Sequence, residues 1–143
     1  MRAFFILLPA MLIGQFPVVF SQAYSINVTI TGLRTDKGKL YLSLYNSEKG
    51  YPKDPAAAYR LSFAEIHDGQ STISLAGIPQ GTYAIACYHD ENGNGKLDAN
   101  FLGIPKEGTG ASNNAKGSMG PPKFKDAKFQ VARDTSLAIK MHY

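Results

Sequence analysis

Apolar residues in this chain recur at every second position, in runs of six to eight residues cut short by turn formers. No window of helical period and comparable length competes with them, so the pattern predicts strands. Ser25–Thr31 sets Ile26, Val28 and Ile30 against Asn27 and Thr29. Lys39–Tyr45 sets Leu40, Leu42 and Leu44 against Tyr41, Ser43 and Tyr45, and the turn Asp36-Lys37-Gly38 suggests that these two runs form a hairpin. Tyr51–Ala58, with two prolines, reads as a loop with room for a helical turn at Asp54–Ala58. A third strand, Tyr59–Ile66, leads through His67-Asp68-Gly69 to a fourth, Gln70–Leu75.

After a turn at Ile78–Gly81, Thr82–His89 is the strongest strand. Tyr83, Ile85 and Cys87 fall on one face; the small residues of the other, Ala84 and Ala86, predict close packing against another layer. Lys125–Val131 and Thr135–Met141 complete seven strands, enough for a Greek-key β-sandwich. Between them and the strongest strand lies Asp90–Lys123, a long glycine-rich loop with seven of the 14 glycines. Connections beyond about 12 to 15 residues are uncommon without structure of their own, so this one needs a source of order.

The start of the chain follows a different rule. Arg2 is the sole charge before an apolar stretch broken by Pro9, Gly14, Gln15 and Pro17, and Ser21-Gln22-Ala23 offers small residues where a signal peptidase reads. A membrane span wants about 20 apolar residues with few breakers, so residues 1–23 read as a signal peptide and 24–143 as one exported domain, periplasmic or secreted. No membrane span remains after cleavage. No cysteine stands near the boundary to carry a lipid anchor, and the single Cys87 excludes an intrachain disulfide and a Cys-based zinc site. Without Arg2 the chain keeps 14 Lys+Arg against 11 Asp+Glu, too small and scattered an excess for nucleic acid.

One segment carries recognisable chemistry. In Asp90-Glu91-Asn92-Gly93-Asn94-Gly95-Lys96-Leu97-Asp98, oxygen-bearing side chains occupy places one, three, five and nine, and glycine occupies place six. These are calcium-loop spacings: alternate residues of a tight loop aim oxygens inward, glycine allows the turn, and place seven, Lys96, offers its backbone carbonyl. The twelfth place, where a helix-flanked calcium loop has a bidentate Glu, is Phe101 here. The metal set is therefore Asp90, Asn92, Asn94, Lys96 and Asp98, with Glu107 available to close it from the following loop. Only Asp90 and Asp98 are charged, which predicts a Kd of about 10⁻⁴ to 10⁻³ M. Asx turns can fold the same residues without an ion, and both readings stay open.

The other polar residues are weaker signals. His89 at a strand end reads as a hydrogen-bonded structural residue, His67 and His142 as exposed, and Cys87 as a small buried hydrophobe. Tyr41, Tyr45, Tyr83 and Tyr88 read first as sheet packing and second as a platform for sugar rings. No serine-nucleophile elbow, zinc-protease motif or phosphate loop occurs in the sequence.

The blocks Gly81-Thr82-Tyr83-Ala84-Ile85-Ala86, His89–Asp98, Leu102–Gly108, Ser112-Asn113-Asn114 and Gly120–Phe129 together resemble the bacterial family called domain of unknown function 2141. The resemblance implies an exported single-domain β-sandwich, immunoglobulin-like or transthyretin-like, and names no activity. Where that family often has an aromatic pair after its Glu, this chain has Thr109 and Ala111. Two function classes follow: a non-catalytic module binding a protein or glycan partner through its calcium-stabilised loop, or a metal-assisted hydrolase or isomerase using Asp90, His89 and Glu107.

Overall fold

The computed structural model describes residues 21–143 as a mostly β chain of two sheets. The predicted leader lies, up to residue 20, outside the described residues. The strands are β1 (Ala23–Thr31), β2 (Lys39–Tyr45), β3 (Arg60–Ala64), β4 (Ser71–Pro79), β5 (Gly81–Asp90), β6 (Thr109–Ala111), β7 (Phe129–Val131) and β8 (Thr135–Lys140), with a short α-helix, α1 (Phe124–Ala127), and 3-10 turns at Pro55–Ala57 and Ser112–Asn114. The first sheet has the order β4-β1-β8, with β1 antiparallel to β4 and parallel to β8. The second runs β3-β2-β5, and the far edge of β5 pairs with β6 at one end and β7 at the other.

The alternation places the core correctly. Ile26, Val28 and Ile30 of the first sheet and Leu40, Leu42, Leu44, Ile85 and Cys87 of the second belong to one buried cluster, so the two inner faces share a core. On the reverse of β5, Ala84 packs with Ala111 and Ala127 beneath Tyr51 and Phe124, the close second layer that its small residues predict.

Four sequence expectations need correction. β1 and β2 are not a hairpin: β1 pairs with β4 and β8, and β2 with β3 and β5. Alternation tells which face of a strand is buried, not which strand lies at its edge, and here two apolar faces meet across the core rather than side by side. β4 does not stop at Leu75; a bulge opposite Ser25, with Gly77 at φ 72°, lets the strand run on and returns Ile78 to the core. The segment from Lys125 opens as helix α1, because Ala127 is drawn under the sheet edge, and becomes strand only at Phe129. Finally, the strands among the described residues number eight, since the glycine-rich segment contributes β6.

That segment is ordered by its own side chains. β6 covers β5 at Ala86–Tyr88 and β7 covers it at Gly81–Tyr83, which leaves a gap at Ile85. Ser112 fills it: its Oγ accepts the Ile85 N–H at 2.9 Å and donates to the Ala127 carbonyl. Asn113 donates to the Asp126 and Lys128 carbonyls, and Asn114 Oδ1 accepts the Lys140 N–H at 2.8 Å. Gly110 is required where β6 crosses the core edge, because a Cβ there would stand 2.8 Å from Ile139 and 3.0 Å from Cys87 Sγ.

Candidate functional site

The end of β5 delivers His89 and Asp90 to the mouth of the loop, and β6 returns the chain with Glu107 just before it. All three side chains are buried. Asp90 Oδ1 accepts the N–H groups of Gly93 and Asn94 at 3.0 and 3.2 Å, and Oδ2 accepts that of Gly95 at 2.8 Å. An ionised carboxylate has about four lone-pair positions, so the loop uses three of them. Gly38, at φ 74°, allows the β1–β2 connection to press against this point; a Cβ on it would overlap the Asp90 carbonyl.

Above Asp90 the proposed ligands do come together. Asn92 Nδ2 donates to Asp98 Oδ2 at 2.6 Å, and Asn94 Nδ2 lies 3.1 and 3.0 Å from the two Asp98 oxygens. The amide oxygens make Asx turns: Asn92 Oδ1 accepts the Asn94 N–H and Asn94 Oδ1 the Lys96 N–H. The loop thus closes on itself through amide donors at the place where the spacing would aim oxygens at a cation. Rotating each amide about its last side-chain bond would aim its oxygen at Asp98 but turn its NH2 group onto the N–H it now accepts, so a hard, oxygen-preferring cation would have to displace both Asx turns. Lys96 is exposed.

Glu107 departs from its expected role. Its two oxygens accept the N–H groups of Glu91 and Asp98 at 2.9 and 3.0 Å, clamping both ends of the loop from inside. His89 is fully buried: Nε2 is 2.7 Å from the Lys37 carbonyl and Nδ1 is 2.7 Å from the Tyr143 hydroxyl. A carbonyl only accepts, so Nε2 carries a proton. This is the structural histidine that its place at a strand end predicts. His67 is exposed, whereas His142 is half-buried, with Nε2 enclosed and unpartnered among the described residues; burial pushes its pKa down.

Sequence reasoning missed three participants. Arg34 grips Glu91 with Nε and Nη2 at 2.7 and 2.6 Å and stacks over the Tyr143 ring at 4.4 Å. That hydrogen bond holds the Glu91 carboxyl below its usual range. Nothing local marks these residues, since they lie 57 and 109 positions from Arg34. The third is a turn whose apolar residues face outward: Phe101, Leu102 and Ile104 are 95%, 68% and 56% exposed. Its signal was visible as an apolar run without alternation.

The four tyrosines divide. Tyr45 and Tyr83 are buried, each donating its hydroxyl to backbone carbonyls, and take no part in a platform. Tyr41 and Tyr88 stack on the outer face at 5.2 Å and 10°, with Phe63 tilted beside them. Ring faces that cover one another are withdrawn from a sugar, so packing is the role the geometry gives them. Tyr88 also donates to the Gly95 carbonyl at 3.1 Å, tying the sheet to the loop, and burial pushes its phenol up to about 12.

Residues 28–139, which hold the whole loop and all of both sheets but the start of β1 and the last residue of β8, match the model of the family described as uncharacterized protein conserved in bacteria (DUF2141). The chain belongs to this family. No curated protein and no solved structure matches it. Membership in DUF2141 agrees with the blocks that carry the sequence resemblance, and these blocks form β5, the loop, the Ser112–Asn114 turn and α1. Among the described residues no helix is long and apolar enough to cross a membrane.

Proposed function

We propose that this chain is an exported, non-catalytic interaction module whose two sheets stack as a Greek-key sandwich, immunoglobulin-like or transthyretin-like, and whose loop Asp90–Asp98 binds calcium. The observation that carries the reading is the convergence of Asn92 and Asn94 on Asp98, at 2.6 to 3.1 Å, over the Asp90 carboxylate that winds the loop. Asp90, Asn92, Asn94 and Asp98 would hold the ion by side chains and Lys96 by its carbonyl. The ion would neutralise two carboxylates and stiffen a binding loop presented to a protein or glycan partner. The alternative, a metal-assisted hydrolase or isomerase, would draw on Asp90, His89 and Glu107. All three are buried and hydrogen-bonded within the chain, which supports the module over the enzyme. The signal-like start of the sequence supports export.

The test is thermal unfolding against calcium and chelator. With a Kd of about 10⁻⁴ to 10⁻³ M, 1 mM calcium adds ~0.4 to ~1.4 kcal/mol, a Tm rise of roughly 2 to 8 °C. Asp98→Asn removes one of two charges and should abolish most of the rise, whereas Lys96→Ala should keep it. Equal melting with calcium and with chelator would leave the loop as an Asx-turn structure.

A further inference from the structure

The sequence holds two Asn-Gly pairs, Asn92-Gly93 and Asn94-Gly95, and both fall in the loop. An asparagine followed by glycine is open to attack by its own backbone, because glycine puts no side chain in the way when its nitrogen closes on the preceding side-chain amide. All four residues are exposed, and a Cβ built on either glycine would meet no atom beyond its chain neighbours within 4 Å, so nothing shields these bonds from water. One group restrains them instead. The Gly93 N–H is held by Asp90 Oδ1 at 3.0 Å and the Gly95 N–H by Oδ2 at 2.8 Å, so a single buried carboxylate ties down both of the nitrogens that would attack.

We propose that Asn92 and Asn94 are latent modification sites, hydrolysed to aspartate or isoaspartate when the loop leaves Asp90, and that the conversion opposes the loop's closing again. The reaction needs only water. The glycine nitrogen gives up its proton to hydroxide and attacks Cγ of the preceding asparagine. The new N–Cγ bond closes a succinimide as the Cγ–Nδ2 bond breaks, and Nδ2 leaves as ammonia with a proton from water. A second water opens the ring at either carbonyl. While the loop is closed the first step is blocked twice: the hydrogen on the attacking nitrogen is engaged, and removing it would set a second negative charge beside the carboxylate. The product does not suit the closed loop. Asn94 Nδ2 lies 3.1 and 3.0 Å from the two Asp98 oxygens and Asn92 Nδ2 donates to Oδ2 at 2.6 Å, so an aspartate at either place turns attraction into repulsion between carboxylates. Isoaspartate also inserts a carbon into the backbone between Asp90 and the N–H groups it binds. The inference rests on these bonds and not on a cation, so its tests are run in chelator.

The full chain is incubated at mildly alkaline pH and followed by peptide mapping, against a synthetic peptide of residues 88–99 in which both asparagines are unrestrained. Each site should convert roughly tenfold more slowly in the folded chain, or slower still, since a charge-assisted hydrogen bond must first be opened. Asp90→Ala should bring both sites to within about threefold of the peptide while Cys87 stays unreactive, the sign that the sheets remain packed. Where that variant does not fold, Asp90→Asn, of the same shape but with one accepting oxygen, should speed at least one site by about fivefold, and the map reads position 90 separately. Asn94→Asp, the product itself, should exchange its Gly95 N–H about fivefold faster than the parent does. A folded chain that converts as fast as the peptide, or Asp90 variants as slow as the parent, would overturn the proposal. So would variants slower than the parent, which would make Asp90 the base that starts the reaction, and so would unchanged Gly95 exchange in Asn94→Asp. Each of these results is independent of whether calcium raises the melting temperature.

Discussion

The hydroxyl of Tyr143 lies 2.7 Å from Nδ1 of His89, joining the last described residue to the strand that launches the candidate loop. In the tautomer that carries its proton on Nε2, facing the Lys37 carbonyl, the ring accepts from the Tyr143 hydroxyl at Nδ1. The same phenolic oxygen accepts the Arg34 N–H at 3.1 Å, and Arg34 holds Glu91. One phenol therefore locks three segments that are remote in sequence. Gly108 admits it, because a Cβ there would fall 2.5 Å from the Tyr143 ring.

Tyr143→Phe keeps the ring and its stacking with Arg34 but removes the hydroxyl from a fully buried imidazole. Leaving buried polar groups unpaired costs about 1 to 3 kcal/mol. Urea unfolding should show that loss as a lower midpoint at unchanged slope. A midpoint equal to the parent's would mean that the bond contributes nothing net.

Acid should loosen the turns around the loop before it affects the core. Asp36 accepts the N–H groups of Gly69 and Asp68 at 2.8 and 2.9 Å, and these bonds lower its pKa from the ordinary 3.8. Glu91 is lowered from 4.5, chiefly by its hydrogen bond to Arg34. A carboxylate with a depressed folded pKa contributes its stability fully above the unfolded value and loses it as pH falls through the folded one. The stability gap between the parent and Asp36→Asn should thus be constant above about pH 5 and close below about pH 4. Asp36 is exposed, so the gap is small. A gap that widens on acidification contradicts the assignment.

Cys87 gives a test of the core itself. The thiol sits on the inner face of β5, 3.7 Å from Met141 Sδ, and burial pushes its pKa up to about 12. Thiolate, not thiol, reacts, so a disulfide reagent at neutral pH should label the native protein only at the rate of unfolding. Labelling should then accelerate in step with denaturant. Rapid native labelling would put Cys87 on the outer face, against the register Leu42↔Cys87.

How much of this could be read from the sequence depends on the range of the interaction. Period-two alternation in Ile26–Ile30 and Leu40–Leu44 identified the inner faces, because a strand's two sides are fixed by its own residues. Edge partners are not so encoded, and the β1–β2 hairpin failed for that reason. The loop followed the same division. Spacing brought Asn92, Asn94 and Asp98 together, since all lie within one turn-rich stretch. It could not show that Glu107 would spend both oxygens on the N–H groups of Glu91 and Asp98, or that Arg34 would close over Glu91. The order of the glycine-rich segment was hidden for a further reason: it depends on Ser and Asn side chains standing in for backbone partners, which carries no hydrophobic period.

That substitution yields the sharpest prediction. Between β6 and β7 the Ile85 N–H has no strand opposite it, and the buried Ser112 hydroxyl supplies the acceptor while donating to the Ala127 carbonyl. The Ile85 carbonyl is approached by the Tyr51 hydroxyl at 3.3 Å, so the gap in the ladder is closed on both sides by side chains. Ser112→Ala removes the acceptor from a buried donor and should cost about 1 to 3 kcal/mol, more than the roughly 0.5 kcal/mol typical of surface substitutions. Ser112→Thr keeps the hydroxyl but adds a methyl where Ala84, Ala111 and Ala127 pack closely, and should recover only part of the loss. Amide exchange at Ile85 is the decisive readout: in Ser112→Ala it should quicken while that of Leu42, within the β2–β5 pairing, follows global stability. If Ile85 instead stays as protected as Leu42, water or a shifted backbone has taken the place of the serine, and the hydroxyl is not what holds α1 and β6 to the sheet.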